Sequence, residues 1–192
     1  MGVGSGIWPH GRYRFDFTGR PDHAGTTRME DRHDPMLTYA MTALAANKQA
    51  RLSGQRATFG RVDVRPNGTN AVPSRVTAWL DARGPFDGDV RAVVASVGAQ
   101  SGVEPAEESW TAETAFDARL AARLSRVLDT APVLSTGAGH DAGVLATAGL
   151  TTGMVFVRNP TGISHSPKEH AEPEDCHRGV EALVRVVREL AG

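Results

Sequence analysis

Three segments in the first 115 residues alternate large apolar residues with polar ones, a pattern typical of strands with one buried face. They span residues 12–18, 57–64 and 75–82. In the third segment Val76, Ala78 and Leu80 fall on one face, and Trp79 falls on the other. We therefore predict three strands here, and a fourth at residues 107–114.

Apolar residues at helical spacing separate these strands. A first stripe covers residues 35–52, where Asp34 is a suitable cap and Pro35 a suitable first position. A second stripe predicts a helix at residues 87–100. The resulting order, strand-helix-strand-strand-helix-strand, is that of a ferredoxin-like α+β sandwich (βαββαβ), which we predict at residues 11–115. An open edge or a helix of such a unit is a natural dimer contact.

The pattern changes beyond residue 115. We predict a helix at 117–128, a buried strand at 152–157 and an amphipathic helix at 173–190. Strands that alternate with helices are typical of a parallel α/β sheet. Two short strands do not make a sheet, so we expect residues 116–192 to be the C-terminal segment of an α/β domain that exposes apolar surface. The glycine-rich residues 1–10 are expected to be a linker remnant.

The amino-acid composition excludes several classes of binding partner and of metal site. The 192 residues include 21 basic and 22 acidic side chains, and the net charge of −1 gives no attraction for nucleic acid or an anionic membrane. A single cysteine, Cys176, excludes an internal disulfide and a cysteine-rich zinc site. No segment approaches the roughly 20 apolar residues of a membrane helix. We expect a cytoplasmic protein that acts on a small molecule or binds another protein.

The loop at residues 162–169 is the strongest candidate for chemistry. His165 stands between Ser164 and Ser166, after Gly162 and before Pro167. A histidine held in such a turn can aim its imidazole at a ligand, and a metal ion is the first candidate. Zinc needs three or four ligands, however, and no companion ligands are evident in the sequence.

Two further histidines follow predicted strands. His23, beside Gly25 and two threonines, could donate a hydrogen bond to a substrate oxygen, or could only hold the turn. His140 follows the glycine-rich turn at residues 137–139, which could bind an anion or a carbonyl oxygen, or could only cap a helix.

A carboxylate site is the third candidate. Asn70 closes the loop before Pro73, and Arg83 ends the strand that follows. An arginine fork holds a carboxylate through two parallel bonds, but exposed arginines are common. The two residues could face one pocket only if the strand brings them together. The sequence has no HExxH, GxSxG or fixed pair of carboxylates, which argues against a zincin, a serine hydrolase or a glycosidase.

Together these loops resemble the N-carbamoyl-L-amino-acid hydrolases and allantoate amidohydrolases, dinuclear-metal amidases related to aminoacylases and carboxypeptidases. The shared motifs occur in the same order as in the family and cover nearly the whole chain from Trp8. It rests on five motifs, at residues 19–34 (with Asp22-His23-Ala24-Gly25-Thr26-Thr27), 66–73, 81–83, 137–142 and 162–169.

The resemblance implies a fold and a role for each candidate. Residues 11–115 would be a ferredoxin-like lid that also forms the homodimer, and residues 116–192 the C-terminal part of an α/β metallohydrolase catalytic domain. His165 would be a metal ligand, and His140 would contact the carbamoyl or ureido group. Asn70 and Arg83 would hold the substrate carboxylate. His23 would reach into the partner subunit's active site and polarise the scissile carbonyl.

The resemblance also shows what is missing. Family members carry the other metal ligands and a glutamate general base upstream of the lid, and none of these is present in this sequence. The implied cofactor is a divalent metal pair, zinc or manganese, which this chain would not hold alone. We expect the isolated chain to be inactive. Allantoate and simple N-acyl amino acids remain alternative substrates, and a non-catalytic dimerising or ligand-binding module remains the alternative from another class.

Overall fold

A computed structural model describes all residues, 1–192, and divides them into two compact units. We call Trp8–Glu113 the sandwich unit, and Met1–Ile7 with Thr114–Gly192 the mixed-sheet unit. The strands are β1 (Gly2–Ile7), β2 (His10–Thr18), β3 (Asp22–His23), β4 (Arg56–Arg65), β5 (Ala71–Val72), β6 (Arg75–Arg83), β7 (Ala106–Thr111), β8 (Thr114–Ala115), β9 (Val133–Thr136) and β10 (Val155–Phe156). The helices are α1 (Pro35–Ser53), α2 (Asp87–Ser101), α3 (Ala118–Val127), α4 (Asp141–Thr147) and α5 (Pro173–Ala191).

The sandwich unit contains an antiparallel sheet in the order β4-β6-β2-β7, together with α1 and α2. Alternate residues of β2 and β6 point to one face, where Phe15, Phe17 and Leu80 are fully buried against Val90 and Val97 of α2. The predicted order βαββαβ is present. The fourth strand ends at Thr111, because Thr114–Ala115 pairs with β1 in the other unit.

Both helices of the sandwich unit begin at the predicted residue and end one residue beyond the predicted one. The Asp34 carboxylate accepts a hydrogen bond from the Met36 N–H at 2.9 Å, and Pro35 occupies the first turn, where its missing N–H costs nothing. Gly54 and Gly102 follow the two helices in the left-handed conformation that glycine adopts most readily. The capped start of α1 determines where the loop at residues 19–34 ends.

The mixed-sheet unit corrects the prediction for the N-terminus. Residues 1–10 do not form a linker remnant, because Gly2–Ile7 is the strand on which this sheet is built. It pairs in parallel with β9 and antiparallel with β8 and β10, so the sheet is mixed rather than parallel. A Cβ on Gly6 would lie 2.7 Å from the Thr114 carbonyl oxygen. The glycines of β1 therefore permit close packing, where the sequence suggested a flexible segment.

One apolar face of α5 is buried, and its Ala182 and Val186 belong to a core cluster with Leu124 of α3 and Val3 of β1. A second apolar face is exposed, and its members recur at helical spacing: Val180, Leu183, Val184 and Val187. The predicted strand at 152–157 is reduced to Val155–Phe156. None of the helices combines the length and apolar character needed to cross a membrane.

Candidate functional site

His23 lies in a small antiparallel ladder of the sandwich unit, between β3 and β5. Asp22 faces Val72 and His23 faces Ala71, and the Ala24 N–H donates to the Asn70 carbonyl oxygen at 2.9 Å. The structure therefore brings His23 and Asn70 side by side in the backbone, although 46 positions separate them in the chain. Both are exposed to solvent.

The imidazole of His23 is held in one orientation by its own loop. The Gly25 N–H donates a hydrogen bond to His23 Nδ1 at 3.1 Å, so Nδ1 carries a lone pair and the neutral ring carries its hydrogen on Nε2. A Cβ on Gly25 would lie 3.2 Å from His23 Cε1, so a side chain at this position would crowd the ring. The ring is thus arranged as a hydrogen-bond donor through Nε2.

A third side chain binds the same loop. The Arg32 guanidinium donates to the Ala24 carbonyl oxygen at 2.6 Å and to the Thr27 carbonyl oxygen at 3.0 and 3.2 Å. Arg32 belongs to the motif at residues 19–34, but the sequence indicates no role for it. Nothing in the local pattern indicates that this side chain turns back to a loop five to eight residues earlier.

Arg83 lies at the other end of the sandwich sheet. Its guanidinium forms a bidentate pair with Asp81, at 2.7 Å from Nε and 2.6 Å from Nη2, and this hydrogen bond raises the pKa of Arg83. A substrate carboxylate would have to use the Nη1–Nη2 edge of the guanidinium. β6 has nine residues, and eight steps of about 3.3 Å separate its ends by about 26 Å. The strand therefore does not bring Arg83 to Asn70 within one chain.

His140 in the mixed-sheet unit is held by the same kind of bond as His23. It is the N-cap of α4, and its Nδ1 accepts a hydrogen bond from the Ala142 N–H at 3.1 Å. The Gly143 N–H donates to the His140 carbonyl oxygen at 2.9 Å. These two N–H groups are therefore engaged within the turn, which weakens the interpretation of the turn as an anion site. The exposed imidazole again presents Nε2–H.

His165 occupies a loop that is organised by its own side chains. Its φ of 56° is left-handed, and its N–H donates to Glu169 Oε2 at 2.9 Å. The Asn159 amide accepts from the Thr161 and Gly162 N–H groups at 3.1 Å and donates to the Ile163 carbonyl oxygen at 2.8 Å. The loop is therefore stiffened on both sides of His165, as a ligand position requires. His140 follows β9, which runs parallel to β1, and the His165 loop follows β10, which runs antiparallel to β1. The two segments therefore start from opposite ends of β1.

The donor set of the chain does not complete a metal site. No group of three or more histidine, cysteine, aspartate or glutamate side chains is placed to hold a metal ion. A single imidazole cannot supply the three or four ligands of zinc, and still less those of a metal pair. The residues present therefore do not fit such a cofactor by themselves.

The sequence of this chain matches one protein family and several amidohydrolases. The family described as peptidase family M20/M25/M40 matches residues 19–189. An N-carbamoyl-L-amino-acid amidohydrolase of Paenarthrobacter aurescens is 34% identical over 188 residues, which cover 90% of this chain and 45% of that protein. The allantoate amidohydrolase of Escherichia coli is 30% identical over 206 residues, covering 100% and 50%.

Solved structures agree with these sequence matches. A hydantoinase/carbamoylase family amidase from Burkholderia vietnamiensis has a TM-score of 0.86 and 29% identity, covering 96% of this chain and 48% of that one. The chain thus spans about half the length of the relatives that it matches.

Proposed function

Because this chain belongs to peptidase family M20/M25/M40, we propose that it is the lid and C-terminal part of a metal-dependent amidohydrolase. Its reaction would be hydrolysis of the C–N bond of N-carbamoyl-L-amino acids. The observation that carries the proposal is the common state of His23 and His140. Backbone N–H groups occupy Nδ1 in both, so both present Nε2–H to a ligand. The carbonyl oxygen of a carbamoyl group has two lone pairs, and it is the kind of acceptor that such donors require.

His23 would stabilise negative charge on the scissile carbonyl oxygen. A neutral imidazole that is already oriented as a donor pays little reorganisation when the charge develops. Removal of one such donor typically lowers kcat by about 10²–10³-fold. His140 would donate to the carbamoyl or ureido group of the same substrate. The P. aurescens relative supports the carbamoyl substrate, and the E. coli relative keeps allantoate as the second candidate, since both substrates join a carboxylate to a ureido group.

Asn70 and Arg83 would bind the carboxylate from two different copies of the chain. The carboxylate and the carbamoyl group of the substrate are only a few bonds apart, whereas the ends of β6 are about 26 Å apart. One substrate therefore cannot bridge both residues within one subunit. A site that uses both would take His23 and Asn70 from one subunit and Arg83 from the other.

A homodimer through the sandwich unit would supply this arrangement. The α1 side chains Leu37, Met41 and Leu44 recur at helical spacing and are 54%, 64% and 69% exposed. Beside α1, β4 is an edge strand with unpaired main-chain groups. An apolar helix face next to an open strand edge fits a second copy of the same surface, because a two-fold contact is self-complementary.

His165 would contribute one ligand, and the rest would come from residues outside this sequence. Elemental analysis of the 192-residue chain, loaded with zinc or manganese and desalted, should therefore find far less than one metal per chain. A value near two would contradict the incomplete site.

Activity should appear when the missing half is supplied. We would join residues 1–192 to the half of the P. aurescens relative that this chain does not match, and measure amino acid released from N-carbamoyl-L-amino acids and product released from allantoate. Metal-dependent turnover that His23→Gln lowers by about 10²–10³-fold supports the proposal. A folded, metal-loaded chimera that hydrolyses neither substrate would favour the non-catalytic module.

A further inference from the structure

We propose that Arg32 is the positioning residue of His23, acting through the peptide group between Ala24 and Gly25. The inference rests on the proposed role of His23 as a donor to the substrate. It adds a residue that neither touches the substrate nor bonds the imidazole, yet determines which ring nitrogen carries the hydrogen.

One peptide group joins the two side chains. Its carbonyl, that of Ala24, accepts from Arg32 Nη2 at 2.6 Å, and its N–H, that of Gly25, donates to His23 Nδ1 at 3.1 Å. The group is planar, so fixing the carbonyl also fixes the direction of the N–H. A cation on the carbonyl oxygen polarises the peptide and makes its N–H a stronger donor. Arg32 thereby strengthens the bond that keeps Nδ1 unprotonated.

Arg32 also bonds the other end of the loop at residues 23–27. Arg32 Nε and Nη2 lie 3.2 and 3.0 Å from the Thr27 carbonyl oxygen, and the Thr27 N–H donates to the His23 carbonyl oxygen at 3.1 Å. The guanidinium is half-buried, and these hydrogen bonds all go to main-chain carbonyls. Its neighbour Arg28 is different, because it is 79% exposed and only approaches Glu30 at 4.0 Å.

The consequence concerns the proton on His23. When the Gly25 N–H no longer points at Nδ1, the neutral ring can carry its hydrogen on either nitrogen. The alternative tautomer would turn the Nε2 lone pair toward the substrate oxygen, and lone pairs repel. Loss of Arg32 should therefore reduce the rate of the chemical step more than substrate binding.

The tautomer can be measured directly in the 192-residue chain. We would record the imidazole ¹H–¹⁵N correlations of ¹⁵N-histidine protein at a pH of about 9, and assign the His23 signals by their absence in His23→Gln. The expected result is two well-separated ¹⁵N shifts for His23, the signature of a single Nε2–H tautomer. In Arg32→Met the two shifts should move toward each other, whereas in the control Arg28→Met they should not.

Unchanged His23 shifts in folded Arg32→Met would overturn the proposal. If Arg32→Met does not fold, Arg32→Lys decides the question, since it keeps the charge but lacks the planar fork that bonds the Thr27 carbonyl oxygen through both Nε and Nη2. Partial convergence of the two shifts is then expected, and shifts identical to those of the parent chain would overturn the proposal.

Kinetics separate positioning from mere loop stability. In the chimera described above, Arg32→Met should lower kcat by about tenfold with little change in KM, and Arg32→Lys should restore part of the loss. Arg32→Met should add no further loss in the His23→Gln background. If His23→Gln itself leaves kcat unchanged, the proposed function of His23 fails, while the NMR result still tests whether Arg32 sets the tautomer.

Discussion

At the scale of single residues, Asp16 is the centre of a hydrogen-bonded network on the helix-free face of the sandwich sheet. Its carboxylate accepts from Arg75 at 2.5 Å, from Thr77 at 2.8 Å and from Arg14 at 2.9 Å. The hydrogen bond from Arg75 is the largest cause that lowers the pKa of Asp16 from 3.8 to about 2, and partial burial opposes it. The carboxylate is therefore ionised at neutral pH.

This network makes stability depend on pH. A pKa that is lower in the folded state stabilises the protein above the unfolded-state value, and the contribution disappears as the pH falls from about 4 through about 2. Asp16→Asn should lower the free energy of unfolding by about 1–2 kcal/mol at pH 7. The difference from the parent chain should shrink toward pH 2, as measured by urea unfolding. An equal difference at pH 7 and pH 2.5 would contradict this origin, and Glu104→Gln, at an exposed carboxylate, is the control.

Gly19 shows how a single missing side chain shapes the candidate site. A Cβ here would lie 2.2 Å from the His33 carbonyl oxygen and 2.4 Å from Pro35 Cδ, distances that only a backbone shift could relieve. Gly19→Ala should therefore cost at least about 2 kcal/mol of stability and displace the loop that carries His23. Gly60→Ala, where a Cβ would meet nothing within 4 Å, is the matched control in thermal unfolding. Equal melting temperatures for the two variants would exclude the clash.

The sequence indicates which side chains are candidates for the site but not which groups they bond. His23, His140 and His165 are recognisable because each lies in a predicted turn that contains a glycine. The tautomers of His23 and His140 depend on the Gly25 and Ala142 N–H groups, which no residue type reveals. The Arg83 fork is a further example, since the sequence suggested a carboxylate ligand and the structure fills one edge of the fork with Asp81.

At the scale of elements, the sequence predicts the helices and strands whose pattern lies within one segment, and it fails where an element depends on distant partners. The strands and helices of the sandwich unit follow from period-2 and helical patterns that lie within each segment. β1 does not, because its partners are more than 100 residues away and its alternate glycines suggest a flexible segment. Val3 is nevertheless completely buried. A glycine that permits close approach and a glycine that permits flexibility are identical in the sequence.

The start of α1 gives a prediction at this scale. Asp34 supplies the only side-chain cap of the helix, through its bond to the Met36 N–H. Asp34→Ala should therefore cost about 1 kcal/mol, measured by chemical denaturation. Asp34→Asn, which keeps the accepting oxygen, should recover most of the loss, and Glu30→Ala, at an exposed position outside the helix, should cost little. Equal stability of Asp34→Ala and the parent chain would show that the cap is not used.

At the scale of the whole molecule, the chain exposes two apolar surfaces on different units. The first is the α1 face of Leu37, Met41 and Leu44, for which we propose a second copy of the chain. The second is the α5 face of Val180, Leu183, Val184 and Val187, which borders a cavity of about 210 Å³ lined also by Val155 and Val157. Since the chain covers about half of each relative, we propose that the other half of the fold packs on this second face.

The first surface predicts the oligomeric state. Leu44→Glu places a charge at the most exposed position of the α1 face, where desolvation would oppose a two-fold contact. Sedimentation should show a dimer for the parent chain and a monomer for this variant, with unchanged far-UV circular dichroism. A parent chain that is monomeric at high concentration would contradict the proposed contact. The same would follow if Leu44→Glu remained dimeric.

The second surface predicts where the other half of the fold packs. Leu183 is 54% exposed, so Leu183→Glu should not unfold the isolated chain, and it should reduce binding of a dye such as ANS because an apolar patch is interrupted. In the chimera with the other half, the same change would bury a charge and should abolish metal-dependent turnover. Leu44→Glu and Leu183→Glu thus separate dimerisation from packing of the two halves. Leu44→Glu should break the dimer and leave the two halves associated. Leu183→Glu should separate the two halves and leave the dimer intact. Full activity of the Leu183→Glu chimera would mean that the α5 face stays in solvent and that the other half packs elsewhere.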